Sequence, residues 1–403
     1  MEVKSSEKMH NVKYDIRGRV AALATEMVRQ GKDIIFLNTG NPGAFGFAPP
    51  NYGDILKDSR QLAATYSDAK GLMGAREAIV AYESSKDIPN ISVDNVFTGN
   101  GVSELITISL LALLNNGDEI LVPTPDYPLW TAAARLAGGT VVHYACDELA
   151  DWYPDMSDIR RKVTARTKAI VVINPNNPTG AVYPREILQD MCDVAREHNL
   201  LIFSDEIYDR LLMDDVEHIA IASLAPDLPV VTMNGLSKSH QLCGYRAGWM
   251  VISGDISGAQ SYLDGLTVLA SMRLCSNVNA QAIIPAALAE PYFACNTLIP
   301  GGRLYEQRAV AYTGLNNIPG LSTVKSMAGL YMFPKMDVKK LRINNDETFV
   351  MDFLREKHVL LTHGGSYNWD APDHFRIVYL PQKDVLEDVI ERLGDFLSGY
   401  RQY

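Results

Sequence analysis

The middle of the chain alternates short apolar runs with longer segments whose apolar residues recur at helical spacing. Asn95-Val-Phe-Thr98 predicts a strand that leads through Gly99-Asn-Gly101 into Val102–Leu114, apolar enough for a buried helix. Glu119–Val122 predicts the next strand, Leu129–Leu136 a helix and Thr140–Tyr144 a further strand. Ala169–Ile173 is apolar throughout, as a strand buried on both faces must be. Pro184 opens a helix running to about His198, because a missing N–H and a fixed φ suit a helix's first turn. Leu200–Phe203 and Val230–Met233 complete the series. Alternation of this kind predicts an α/β fold, a mostly parallel sheet covered by helices. Function in such sheets gathers at the carboxyl ends of the strands.

From about Thr297 the pattern changes to a smaller α+β unit. Leu321–Val324, Gly329–Met336 and Phe375–Leu380 predict strands, and Thr348–His358 and Val385–Leu397 predict helices. No repeat or low-complexity tract interrupts the 403 residues, a length that suits two domains. No apolar run approaches the ~20 residues of a membrane helix, and Met1–Lys13 is too polar for a secretory leader. A cytoplasmic protein that does not engage a membrane is the expectation. The net charge of −11 argues against a nucleic-acid partner and leaves the basic residues for specific anion contacts. Five scattered cysteines without a C-x-x-C pair read as reduced thiols, and eight dispersed histidines suggest no metal site.

Ser103, Asn177, Asp205 and Lys238 each follow a predicted strand, where the fold should place chemistry. Lys238 lies in Asn234-Gly-Leu-Ser-Lys-Ser-His-Gln-Leu-Cys-Gly-Tyr-Arg246. Its amine can hold an aldehyde cofactor as a Schiff base while Arg246 clamps that cofactor's phosphate. Upstream stand Asn174-Pro-Asn-Asn-Pro-Thr-Gly180 and Ser204-Asp-Glu-Ile-Tyr208. Together these motifs resemble those of the fold-type I aminotransferases that use pyridoxal 5'-phosphate (PLP), and the resemblance spans nearly the whole chain.

The resemblance implies a seven-stranded-type sheet, a large cofactor-binding domain at 46–296 and a small domain at 297–403. The segment 1–45 would pack with the small domain and close the site. Lys238 becomes cofactor anchor and proton shuttle. Asp205 faces the cofactor's pyridine nitrogen, where a carboxylate favours the protonated ring; alone, it reads equally as a turn or cap residue. Tyr208 and Asn177 would donate to the phenolate oxygen, although Asn177 by itself is also an ordinary turn residue. Gly101, Val102 and Ser103 open a helix whose free N–H groups suit the phosphate, with Ser237 and Arg246 beside them. Gly235 stands where many relatives carry a phosphate-binding serine, and its N–H is expected to substitute. Tyr127 would stack on the ring, with a plain packing role as the alternative.

Arg376, flanked by apolar strand residues in His374-Phe-Arg-Ile-Val-Tyr379, needs a carboxylate partner. The partner is either an internal acid or the substrate's α-carboxylate, which a guanidinium can grip bidentately. Gly40 matches the glycine whose backbone approaches the same carboxylate. Tyr66 matches a tyrosine that crosses to the partner's phosphate in a homodimer. Tyr14-Asp-Ile-Arg-Gly18, Gly40-Asn-Pro-Gly-Ala-Phe-Gly-Phe47, Asp126-Tyr-Pro-Leu-Trp130 and Gly301-Gly-Arg-Leu-Tyr-Glu-Gln-Arg308 resemble the bacterial alanine aminotransferase branch. That branch exchanges an amino group between alanine and 2-oxoglutarate, and Tyr14 and Arg17 would belong to its lid. Valine or another small aliphatic or aromatic amino acid, or carbon–sulfur lyase chemistry on the same scaffold, are the alternatives. A regulatory module without enzymatic activity is disfavoured, since too few residues precede Tyr14 for a DNA-binding domain.

Overall fold

The computed structural model describes the chain except residues 1–2, 13, 15–17, 48, 291–294 and 403. A short strand, β1 (Ile35–Phe36), precedes the central sheet. That sheet comprises β2 (Val96–Asn100), β3 (Glu119–Thr124), β4 (Thr140–Asp147), β5 (Tyr153–Pro154), β6 (Thr167–Ile173), β7 (Leu201–Asp205), β8 (Val230–Gly235) and β9 (Ala247–Ser253). Their spatial order is β2-β9-β8-β7-β6-β3-β4-β5. β3, β4, β6, β7 and β8 run parallel, whereas β9 is antiparallel to both neighbours and β5 is a two-residue antiparallel edge. The sheet is thus the expected seven strands with a short edge added. β9 lies beyond the last predicted strand, directly after the motif that ends at Arg246.

Alternation along β6 shows why the sheet needs two helical layers. Ala169, Val171 and Ile173 face a core shared with Leu105, Trp130 and Leu266, on helices Val102–Leu113, Leu129–Leu136 and Gln260–Met272. Ile170 and Val172 face the opposite core with Ile159 and Leu188, on helices Met156–Lys162 and Arg185–His198. Successive strand side chains point to opposite faces, so a strand apolar at every position must be covered twice.

Beyond helix Arg303–Asn317 the remaining strands are short: β10 (Leu321–Ser322), β11 (Tyr331–Met332), β12 (Lys335–Met336), β13 (Val359–Leu360), β14 (Thr362–His363) and β15 (Phe375–Val378). The single strand expected over Gly329–Met336 divides at Pro334. β11 pairs with β15, while β12 pairs with β10. Proline offers no N–H to a ladder, and the chain uses it to change partners. β1 pairs in parallel with β13, and helix Arg19–Arg29 buries Val20, Ala24 and Met27 in one core with Phe349, Ile377 and Val389. The helix predicted at Thr348 begins at Asp346, because Asn345 accepts a hydrogen bond from Thr348 N and caps it.

Candidate active site

The carboxyl ends of the parallel strands hold the predicted residues. Asn177 follows β6, Asp205 ends β7, Lys238 follows β8 and Gly101 follows β2. Because β9 runs the other way, its start lies at this same end, beside the end of β8, with Gly235 opposite Gly248. Antiparallel reversal therefore brings Arg246, which precedes β9, back to the strand ends.

Gly101 adopts φ +78°, a left-handed conformation that favours glycine, and caps the 12-residue helix Val102–Leu113. A Cβ at Gly101 would run into the guanidinium of Arg246. The cation therefore lies against the helix N-terminus, where Val102 and Ser103 present free N–H groups. Arg246 is held by Cys243 O at 2.8 Å and Asn100 O at 3.3 Å. Ser237 lies in the short helix Leu236–Ser239 beside Lys238. The N–H of Gly235 is not free as expected, since it donates to Asn234 Oδ1 at 2.7 Å.

Asp205 is buried. Its Oδ2 accepts from Trp130 Nε1 at 3.1 Å, and its Oδ1 receives a longer contact of 3.4 Å from Ile207 N. Burial pushes its carboxyl up to about 6, partly offset by the Trp130 hydrogen bond. Trp130 is visible in the sequence only as part of a motif; what reveals its part is the Asp205 contact. Tyr127, partly buried, has its hydroxyl 3.1 Å from that of Tyr14, so the N-terminal segment reaches the site. Arg17 lies outside the described residues.

Lys238 Nζ donates to Gly40 O at 2.7 Å. A side chain at position 40 would collide with the Tyr331 hydroxyl, so glycine is needed for this close approach. Tyr208 donates to Tyr331 at 2.9 Å. Burial raises both phenols, but the charges of Lys238 and Arg376 and the Tyr208 hydrogen bond bring Tyr331 below its ordinary value, while Tyr208 stays above it. No sequence motif singles out Tyr331. It lies in β11, far along the chain from Tyr208, and only strand pairing with β15 sets it beside Arg376.

Arg376 is buried and has no acidic partner among the described residues: Asn177 Oδ1 accepts from it at 2.8 Å, and Asn38 O also accepts from it. Its guanidinium lies 4.1 Å from the Tyr331 ring centre and 4.7 Å from that of Tyr367. Its Nε is buried without a hydrogen-bond partner. A buried guanidinium held only by neutral acceptors calls for an anion. The internal ion pair weighed from sequence is not what the fold provides. Tyr66 makes none of these contacts and is 77% exposed.

These features fit PLP. A basic amine stands ready for an aldehyde, a cation lies at a helix N-terminus for a phosphate, and a buried carboxylate with only neutral donors awaits a protonated ring nitrogen. Among the described residues no group of three or more His, Cys, Asp or Glu is placed to hold a metal ion.

Comparison with known proteins agrees. The chain is 53% identical to the glutamate–pyruvate aminotransferase AlaA of Haemophilus influenzae, over 98% of each chain. It is 51% identical to alanine aminotransferase of Mycobacterium tuberculosis, covering 98% of this chain and 93% of that one. Among solved structures, an aminotransferase from Escherichia coli superposes with a TM-score of 0.98 at 50% identity over the full length of both chains. Alanine aminotransferase from Pyrococcus furiosus gives 0.91 at 39% identity, over 98% of this chain and all of that one. Residues 32–393 match the family described as aminotransferase class I and II, and the chain belongs to that family.

Proposed function

We propose that this protein is a PLP-dependent aminotransferase that exchanges the amino group between L-alanine and 2-oxoglutarate, giving pyruvate and L-glutamate. The observation that carries the reading is Arg376, a buried guanidinium with an unpartnered Nε and, among the described residues, no acid beside it. An α-carboxylate common to all four substrates meets that need.

PLP, when bound, supplies the electron sink that lets an amino acid lose its Cα proton. The chain's residues do the rest. Arg376 grips the α-carboxylate, with Asn177 fixing the plane of the guanidinium. Lys238 would anchor the cofactor, and its amine would carry the proton to and from the substrate Cα. Asp205 would keep the ring nitrogen protonated, and Tyr127 would cover the ring face. Asn177, through its free amide N–H, and Tyr208, once its hydroxyl turns from Tyr331, would donate to the phenolate oxygen. Gly101, Val102, Ser103, Ser237 and Arg246 receive the phosphate. Gly40 and Tyr14 would line the substrate side, with the segment 1–45 closing over the site. The same reading takes 46–296 as the large domain and 297–403 as the small one, which the β1–β13 pairing supports. Both half-reactions use one site, so kinetics are ping-pong.

The reading extends to a homodimer in the cytoplasm. Five free cysteines suit a reducing compartment. Arg273 donates to Ala69 O, joining the stretch that bears Tyr66 and Met73 to the end of helix Gln260–Met272. Tyr66, Met73, Val268, Met272 and Leu274 are exposed apolar residues on these two joined stretches, where a second copy would cover them.

A panel pairing each amino donor with pyruvate or 2-oxoglutarate tests the activity. Alanine with 2-oxoglutarate and glutamate with pyruvate should be the best pairs. A clear preference for valine or an aromatic donor would refute the alanine assignment. Pyruvate release from cysteine conjugates without an oxo-acid acceptor would point to a lyase instead.

A further inference from the structure

A buried ion cluster lies behind the cofactor-anchoring segments, and the scheme above does not use it. Lys86, just past helix Met73–Ser84, places Nζ 2.6 Å from Glu83 Oε2, 2.9 Å from Glu206 Oε2 and 3.0 Å from Asp209 Oδ2. The side chains of Glu83 and Glu206 are fully buried and that of Lys86 is 13% exposed. Burial opposes the charge on Lys86, yet the three carboxylates hold its ammonium well above the ordinary value.

The cluster reaches all three segments that carry the site. Along the turn after β7, Asp205 and Tyr208 bond toward Trp130 and Tyr331, while Glu206 and Asp209 bond back to Lys86. Asp209 Oδ2 also accepts from Asn234 Nδ2 at 2.7 Å, and Asn234 in turn takes the Gly235 N–H that begins the Lys238 turn. Glu83 Oε1 accepts from Trp249 Nε1 at 2.7 Å, in the strand that follows Arg246. Desolvating four charged groups adds little net stability compared with apolar packing of the same volume. Fixed geometry is what such a cluster provides, because moving any one carboxylate away from Lys86 would leave a buried charge uncompensated.

We propose that Lys86 is a positioning residue of this active site: clamped by Glu83, Glu206 and Asp209, it sets the relative placement of the segments bearing Asp205 and Tyr208, Lys238, and Arg246. The proposal rests on the PLP reading for the roles of those segments. Lys86 itself touches neither substrate nor cofactor.

Two variants separate positioning from bulk stability. Lys86→Met removes the clamp. Asn234→Ala leaves the ion cluster intact but cuts its link to Gly235. Hydrogen exchange on the full-length, cofactor-free protein is the first readout. Lys86→Met should speed exchange about tenfold in 204–209 and 234–239 together, and Asn234→Ala in 234–239 alone. After PLP is added, the pH titration of the bound cofactor's visible absorbance should shift in both variants. Cofactor affinity should fall by roughly ten- to a hundredfold in Lys86→Met. Faster exchange spread evenly over the molecule, with absorbance titration and affinity unchanged, would overturn the proposal. If Lys86→Met does not fold, Asn234→Ala decides, and unchanged exchange in 234–239 counts against it. Wild-type protein that takes up no PLP would refute the functional reading, while the exchange data still judge the role of Lys86.

Discussion

Replacing Asp205 with asparagine should stabilise the cofactor-free protein and cripple the loaded one. The carboxyl is buried, with the Trp130 indole at 3.1 Å as its best donor and no cation in contact. Burial raises it from an ordinary 3.8 to about 6. The folded state therefore binds a proton more tightly than the unfolded chain. Stability from this group is greatest below about pH 4 and falls as pH rises through the window between about 4 and 6. At ~1.4 kcal/mol per tenfold change in proton affinity, the charged carboxylate costs about 3 kcal/mol near pH 7. An asparagine at this position would keep an oxygen for Trp130 and remove the charge, so Asp205→Asn should recover much of that penalty. In the proposed reading a protonated ring nitrogen would offset the same penalty in the wild type, converting the cost of burial into cofactor affinity. The assay is urea unfolding of both cofactor-free proteins from pH 4 to 8. The curves should converge at low pH and separate as pH rises, with the variant more stable. With PLP added the order should reverse, and kcat/KM of the variant should collapse. Parallel pH profiles, or a less stable variant at pH 8, would refute the reasoning.

Borohydride reduction of the PLP-loaded protein should fix the cofactor to the peptide containing Lys238, and Lys238→Ala should lower the rate by about 10²- to 10⁴-fold; a label on another lysine rejects the assignment. Arg376→Lys keeps the charge but loses the planar fork that holds Asn177 and a carboxylate at once. Steady-state kinetics should show kcat/KM about ten- to a hundredfold lower for every amino acid, with PLP affinity unchanged. Amines without a carboxylate that react as well as alanine would exclude this role. Tyr66→Phe should weaken PLP binding by roughly ten- to a hundredfold if its hydroxyl reaches a partner's phosphate. Sedimentation of the wild type should show two chains, and a fully active monomer would contradict the shared site.

Reaction class was legible in the sequence because it rests on local runs. Asp205 and Tyr208 are three residues apart in one turn, and Lys238 and Arg246 bracket one reversal of the chain. Strand–helix alternation predicted the sheet, since its period follows from burial on two faces. The Gly329–Met336 strand was overdrawn because hydrophobicity does not register which neighbour each half pairs with. β9 was not predicted: the reading stopped at the motif ending in Arg246, although all seven residues that follow are buried in the sheet.

By itself, then, the sequence determined the alternating α/β pattern and singled out Lys238 as the candidate cofactor anchor and Arg376 as the candidate anion-binding cation. Those follow from side-chain chemistry and from periods of two and 3.6 residues. Tertiary structure alone decided that Arg376 meets neutral acceptors rather than an acid among the described residues, that Trp130 donates to Asp205, and that Tyr331 meets Tyr208. It also decided that Lys86 gathers three carboxylates behind the site. Each is a contact between residues far apart in the chain, and its electrostatic consequence depends on burial. Distance and dielectric exist only once the sheet has brought the segments together.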